Sequence, residues 1–407
     1  MFTASAWRGH YYVMVPLAWA LQSAGHDVRV ACTPDHAAPV AAAGLVPVPV
    51  LDCLDMQTVQ RMTNYLAIEA QGTHSQLPLH PYTGEPVASL EEFDIHAEAP
   101  EFWQRLNDAI AHSYDGAVRF ARAWRPDLVL HDLMTPEGAL VAELLGVQAV
   151  YHPPGLFGTA ETEPGVDLGD GDPSESFPRY GLEPWHNSRI THVIDPSPDT
   201  AVPPMGSAHR LSMRYLPYNG PTVVPDWVHE PPRRPRVCVL WGASSQAEAT
   251  EVPALQAAVE AALSKGAEVW FTAGPAGASV LGGLAEHVRV LQDFPLHLLL
   301  TGSSAIIHHG SVNCLLTAAT RGVPQLALAL SDEQATVSGR IAATGAALSL
   351  RGLSATPEQA AAGTIAVLTE PAYHDAAHRL RSVIAGQPSP ADLVPVLEGL
   401  ALKGSLP

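Results

Sequence analysis

Ala305-Ile306-Ile307-His308-His309-Gly310-Ser311-Val312-Asn313 joins a short apolar run to a turn and then to a new apolar pattern. The run 305–308 reads as a buried strand, Gly310 turns the chain, and Ser311 stands at the N-cap of a helix over 312–319. A helix amino end carries unpaired N–H groups and about half a positive charge, so this turn suits an anion, best a phosphate. A histidine at the entrance can add a hydrogen bond to a diphosphate oxygen. A capped helix around a buried histidine fits the same residues.

Working outward, the pattern repeats. Strands are expected at 237–240, 268–272, 288–291 and 325–329, with helices at 253–263 and 333–343 and a helical C-terminal third. The last of these helices follows Ser331-Asp332-Glu333-Gln334. A carboxylate beside an amide at a strand's carboxyl edge can hold two vicinal hydroxyls, and an acidic first turn also complements the helix dipole. Strands alternating with helices imply a parallel sheet built from βαβ units. The N-terminal half has the same rhythm: strands at 2–6, 28–32, 46–50, 127–130 and 147–151, and helices from Val13 to Ala24, at 36–43, 101–124 and 137–145. Gly25, Gly44 and Gly146 stand where helices end. The first strand lies so close to Met1 that a few upstream residues are expected. Arg8 followed by the apolar 11–21 is not read as a signal peptide, because Pro16 interrupts it and no small-residue cleavage site follows.

Two stretches break the rhythm. Residues 52–98 read as a long loop with some helix, and 153–189 as a second irregular lining. Six prolines between 216 and 236 (Pro217, Pro221, Pro225, Pro231, Pro232 and Pro235) forbid continuous helix or sheet and mark a linker.

Composition narrows the function. The chain has 407 residues, 47 % hydrophobic and 15 % charged, enough for two sizeable cores. Its 22 basic and 41 acidic side chains give a net charge of −19. That is a poor match for nucleic acid or an anionic membrane, so neither partner is expected. No unbroken apolar run is long enough to span a bilayer. Cys32, Cys53, Cys238 and Cys314 are scattered, with no zinc-type or disulfide spacing, and read as reduced cytoplasmic thiols. Neither GxGxxG nor GxxxxGK[ST] follows any candidate strand, which counts against a nicotinamide dehydrogenase and an NTPase.

In the N-terminal half, His10 falls in the loop after the first strand and Asp132 at the carboxyl end of a later one. Ligands of open α/β sheets bind at that edge. A histidine backed by an aspartate suits a general base, with an ordinary value of about 6.5 for deprotonating a hydroxyl near neutrality. A chance loop histidine and a helix-capping aspartate would look the same.

At this point several motifs, in order along residues 9–334, resemble one family. Gly9-His10-Tyr11-Tyr12-Val13-Met14-Val15-Pro16-Leu17-Ala18 with Ala24-Gly25-His26-Asp27-Val28 looks like the opening of natural-product, antibiotic-type glycosyltransferases. Arg125-Pro126-Asp127-Leu128-Val129-Leu130-His131-Asp132 resembles their acceptor-side strand. Tyr218-Asn219-Gly220-Pro221 with Pro225-Asp226-Trp227 resembles the linker of the actinobacterial deoxysugar transferase branch. His308-His309-Gly310, Gly322-Val323-Pro324-Gln325 and Glu333-Gln334 resemble its donor signature.

The resemblance implies an α/β GT-B fold: two Rossmann-like doubly wound domains facing a cleft, with C-terminal helices. Residues 1–215 would bind the acceptor, 216–236 link, 237–385 bind the nucleotide sugar, and 386–407 form a helical tail packing back on the first domain. It implies a cytoplasmic, metal-independent, inverting hexosyltransferase of antibiotic biosynthesis and secondary metabolism. The enzyme would move a deoxysugar from a nucleoside-diphosphate co-substrate, a dTDP-sugar, to a hydroxyl of a small apolar aglycone, without a cofactor. His10 matches the general base and Asp132 its partner. His308, His309, Gly310, Ser311, Asn313 and Cys314 match the diphosphate loop, Glu333 and Gln334 the sugar-hydroxyl pair, Phe294 the nucleobase side, and Ser244 a phosphate-side residue. Tyr82, Phe93, Phe102, Trp103 and Phe157 are candidates for an apolar acceptor lining or for plain core. A P450-like helper protein and a homodimer are the partner expectations. The family's Gly-x-Gly-Thr reads Ser311-Val312-Asn313-Cys314 here, so an asparagine replaces a glycine and a weakly donating thiol replaces a hydroxyl. Against the transferase stand a non-catalytic sugar-nucleotide-binding or helper subunit, and a same-fold epimerase or hydrolase.

Overall fold

The computed structural model describes residues 1–52, 55–71, 77–167, 171–241, 252–273, 277–292 and 294–403. Its strands are β1 (Phe2–Thr3), β2 (Arg29–Cys32), β3 (Val46–Pro49), β4 (Leu128–His131), β5 (Gln148–Tyr151), β6 (His192–Asp195), β7 (His209–Ser212), β8 (Arg236–Trp241), β9 (Glu268–Ala273), β10 (Arg289–Gln292), β11 (Ala305–His308), β12 (Gln325–Ala329) and β13 (Ala347–Arg351). The helices are α1 (Arg8–Ser23), α2 (Pro34–Ala42), α3 (Met56–Gln71), α4 (Ile95–Trp124), α5 (Glu137–Leu145), α6 (Ser176–Arg179), α7 (Pro253–Ser264), α8 (Leu296–Leu299), α9 (Val312–Arg321), α10 (Asp332–Ala342), α11 (Pro357–Thr369), α12 (Pro371–Gly386) and α13 (Pro390–Lys403).

One sheet runs β3-β2-β1-β4-β5-β6-β7 and the other β10-β9-β8-β11-β12-β13. The second is the doubly wound order of a dinucleotide-binding fold, and both sheets reverse direction beside their first strand. Registered pairs are parallel, as at Phe2↔Leu130 and Ala305↔Val237. The reversal points lie between β1 and β4 and between β8 and β11, and the carboxyl ends there are where such folds take ligands. Pro47 and Pro49 are tolerated because β3 is an edge strand.

Packing divides the chain into two compact units. One comprises Met1–Arg8, Val28–Ala149 and Asp170–His186, and the other Gly9–Asp27, Val150–Gly169 and Asn187–Pro407. The grouping follows packing, not chain order, so most of α1 groups with the C-terminal half. In the second unit, Val237, Val239, Phe271, Ile307, Leu326 and Leu328 of the central strands are buried against Leu255, Val259 and Val367.

Several expectations change. The helix predicted from Val13 begins at Arg8, so His10 lies in its first turn and not in a loop. Residues 56–71 form a full helix where a long loop with some helix was expected; Met62 and Tyr65 are buried against Val87, Phe93, Ile95 and Ala99. Strands β6, β7 and β13 have no counterpart in the sequence reading. Segment 216–236 holds only one short 3₁₀ turn, Asp226–His229, before β8 begins at Arg236. Cys32, Cys238 and Cys314 are free and buried, and Cys53 lies outside the described residues. Among the described residues, no helix is long and apolar enough to cross a membrane.

Candidate active site

The turn after β11 is built around His308. The ring is fully buried, with Nδ1 accepting the Gly310 N–H at 3.0 Å and Nε2 at 3.1 Å from Gln325 Oε1. Nδ1 is therefore the acceptor and Nε2 the donor. Gln325 in turn donates to the Leu315 carbonyl at 3.1 Å, tying the histidine to α9. Burial, with His309 beside it, pushes His308 down to about 3, so the ring is neutral. Both ring nitrogens are engaged inside the protein: the side chain that the sequence reading directed at a diphosphate oxygen instead shapes the turn that would hold one.

Gly310 has φ +91°, a left-handed conformation that favours glycine, and a Cβ there would stand 3.3 Å from Gln334. Its missing side chain lets the turn close on α10. His309 is also buried, and burial lowers it to about 4 against a hydrogen bond to the Leu240 backbone. Its Nδ1 finds no partner among the described residues, and its ring meets Trp241 edge-on with centroids 6.2 Å apart.

Ser311 occupies the N-cap position of α9 but caps nothing: its hydroxyl donates to Cys314 Sγ at 3.0 Å. Burial pushes the Cys314 thiol up to about 12, so it stays protonated. The first N–H groups of α9 thus have neither a side-chain cap nor, by position, a helical partner. Such an end can receive an anion.

On α10, Ser331 accepts the Gln334 N–H at 3.2 Å, and Gln334 Oε1 accepts the Leu330 N–H at 2.8 Å. Gln334 is buried and its carbonyl is used locally, whereas Glu333 is exposed. The surrounding chain nevertheless withdraws part of the water from the Glu333 carboxyl and so raises it, and the charge of His10 opposes that rise. His10 and Glu333 are therefore electrostatic neighbours within one unit.

The irregular segment after β5 is strapped along α10. Arg340 makes a two-pronged contact with Glu161, at 2.8 and 2.6 Å, and donates to the Leu156 carbonyl. Thr336 donates to the Pro164 carbonyl at 3.0 Å. Gly165, at φ +79°, lies so close that a Cβ would stand 2.2 Å from the Glu333 nitrogen. Phe157, in the same segment, is buried.

Phe294 packs beside Trp227, with centroids 5.3 Å apart, and Trp227 meets Trp270 edge-on at 5.1 Å. In the sequence Trp227 stands out only as part of a linker motif; its place beside the candidate nucleobase residue comes from packing. Ser244 lies outside the described residues.

In the first unit, Asp132 follows β4 directly and is 1 % exposed. Its Oδ2 accepts the Ser5 N–H at 2.7 Å, and its Oδ1 accepts the Met134 N–H at 2.6 Å and lies 3.3 Å from the Thr135 hydroxyl. The carboxylate thus ties the end of β1 to the turn entering α5. Of the candidate acceptor residues, Phe93 is buried in the α3–α4 cluster, Phe102 and Trp103 pack against it, and Tyr82 is exposed with its ring 5.7 Å from Phe93. Among the described residues, no group of three or more His, Cys, Asp or Glu side chains is placed to hold a metal ion.

Comparison with known proteins matches residues 19–242 to the N-terminal domain, and 258–400 to the C-terminal domain, described as erythromycin biosynthesis protein CIII-like. The chain is 34 % identical over 432 residues to the 10-deoxymethynolide desosaminyltransferase of Streptomyces venezuelae, covering 100 % of this chain and 98 % of that protein. It is 33 % identical over 431 residues to the aklavinone 7-beta-L-rhodosaminyltransferase of Streptomyces galilaeus, covering 98 % and 95 %. Its fold is similar to that of the glycosyltransferase VinC in complex with dTDP, with a TM-score of 0.72 at 30 % identity and 98 % coverage of both chains.

Proposed function

Since this chain belongs to the erythromycin biosynthesis protein CIII-like family and is a glycosyltransferase of GT-B fold, we propose that it moves a deoxysugar from a dTDP donor to a hydroxyl of a small apolar natural-product aglycone, inverting the anomeric carbon. Support for the donor comes from the dTDP complex of VinC and from the uncapped amino end of α9. The single observation that carries the reading is geometric: Gly9, next to His10 in the first turn of α1, lies so close to the first turn of α9 that a Cβ on it would stand 2.8 Å from Asn313 Nδ2, so the candidate base sits beside the candidate anion-binding end within one unit.

In this scheme the His10 imidazole takes the proton of the acceptor hydroxyl. The oxygen attacks the anomeric carbon as the bond to the diphosphate oxygen breaks, and dTDP leaves with the electron pair. Asp132 would steady the imidazolium. The N–H groups of Ser311, Asn313 and Cys314 would meet the charge on the leaving group, which is where preorganised donors act most strongly. Gly310 lets that turn close, and His308 and His309 hold its shape. Glu333, and Gln334 through its amide, would bind sugar hydroxyls, with Phe294 and Trp227 beside the nucleobase. Tyr82, Phe93, Trp103 and Phe157 are the proposed acceptor-side aromatics. A P450-like helper and a homodimer belong to the same proposal; turnover by the purified monomer alone would remove both.

His10→Ala is the test. General-base catalysis contributes about 10²–10⁴-fold, so turnover should fall by that factor while dTDP binding, followed by calorimetry, persists. Unchanged turnover would remove His10 from the mechanism. Product analysis decides the reaction class: a glycosylated aglycone of inverted configuration supports the transfer, whereas free sugar or an epimerised nucleotide sugar overturns it.

A further inference from the structure

The reaction scheme makes no use of the Asn313 side chain, which stands where the resembled family has a glycine. Asn313 lies in the first turn of α9, and its Oδ1 accepts the Tyr215 hydroxyl at 2.9 Å. Tyr215 follows β7 at the head of the proline-rich linker and is 2 % exposed, with its oxygen also 3.4 Å from the Thr317 hydroxyl one helical turn on. Burial holds the phenol above its ordinary value, so it stays a donor at any working pH. With Oδ1 committed to Tyr215, the amide nitrogen must face the other way, and there it meets Gly9. A Cβ on Gly9 would stand 2.8 Å from Asn313 Nδ2. Gly9 precedes His10 in the first turn of α1.

We propose that Tyr215 is a positioning residue: acting through Asn313, it wedges the first turn of α1 against the first turn of α9 and so sets the distance between His10 and the anion-binding end. The contact chain is short and rigid. A buried phenol fixes an amide, the amide abuts a residue with no side chain, and the next residue carries the imidazole. Gly9 is required for this closeness, because a methyl group would push on an amide that cannot swing away without breaking its bond to Tyr215. The proposal rests on His10 facing the nucleotide diphosphate, as the transfer mechanism has it.

The probe is dTDP alone, with the His10 ring signal followed by NMR and assigned by its loss in His10→Ala. An anion arriving within about 4–6 Å of an imidazole raises its proton affinity by about tenfold or more. The wild-type protein at saturating dTDP should show that rise. Tyr215→Phe, which removes one oxygen and little volume, and Asn313→Gly should each lose most of it. Their double variant should lose no more than either alone, because two members of one contact chain are not additive. Saturable dTDP binding by calorimetry shows that each variant is folded. A wild-type rise that survives in both single variants overturns the wedge and leaves the role of His10 standing. No rise in the wild type overturns the shared site, and the wedge with it.

Discussion

His308, His309 and His131 are buried histidines whose neutrality costs stability in acid. The first two are held down to about 3 and about 4, and His131, 3 % exposed at the end of β4, to about 4, in each case by loss of water. Each returns to 6.5 in the unfolded chain. Between about pH 4 and 6.5 the unfolded state therefore binds more protons. The histidines' share of stability is undiminished above pH 6.5 and falls as the pH drops through that window, by about 2 kcal/mol per histidine at pH 5. Glu137 works in the opposite sense: burial raises it to about 8 from 4.5, so its share of stability is lost as pH climbs between those values. Urea denaturation at several pH values should show both effects, and Glu137→Gln should flatten the loss above pH 6.5 while steepening the fall below it. A midpoint that is constant from pH 7 to 5 would contradict the buried neutral histidines.

At the scale of elements, α10 and the segment strapped to it behave as one piece. Gly165→Ala would place a Cβ 2.2 Å from the Glu333 nitrogen in a left-handed backbone. The backbone strain alone costs about 1–2 kcal/mol, and relief requires the start of α10 to shift. We expect weaker dTDP-sugar binding, seen as a raised KM, with a smaller change in kcat. The Arg340–Glu161 pair is largely buried, with 15 % and 5 % of the side chains exposed. Arg340→Leu would strand the glutamate and cost about 3–5 kcal/mol in equilibrium denaturation, with much of it restored by adding Glu161→Leu. Strands β11 and β12 and helix α5 are legible in the sequence because each is a short apolar run closed by glycine or proline. Strands β6 and β7 are not, because they carry His192, Asp195, His209 and Arg210 with no apolar alternation. Their charged side chains answer one another: Arg210 donates to Asp195 at 2.7 Å across the pair, a match visible only once the strands lie side by side.

For the whole molecule, a ligand that binds only the folded state adds its binding energy to stability. At a hundred times its Kd, dTDP should stabilise the protein by about 2.7 kcal/mol, measurable as a rise in Tm. The rise should survive EDTA, because the α9 amino end and not a cation is assigned to the diphosphate. A rise that appears only with added Mg²⁺ would overturn that assignment. The C-terminal tail belongs to the second unit through specific bonds. Gln387 donates to the Ser197 carbonyl at 2.8 Å and lies 2.9 Å from the Ser212 hydroxyl, and Arg214 N–H donates to the Pro388 carbonyl at 2.7 Å.

Hydrophobic period, helix-ending glycines and the spacing of turns are local properties of a chain. They determine the alternation of strands and helices, the parallel βαβ build of both halves, and the turn at 308–311. What joins residues far apart was decided by folding. The first turn of α1 extends to include His10, α3 forms because Met62 and Tyr65 gain a cluster across the loop, and Tyr215 reaches Asn313 ninety-eight positions later. No periodicity encodes such pairings, because they depend on which surfaces the packed sheets bring together, and that is a property of the assembled core.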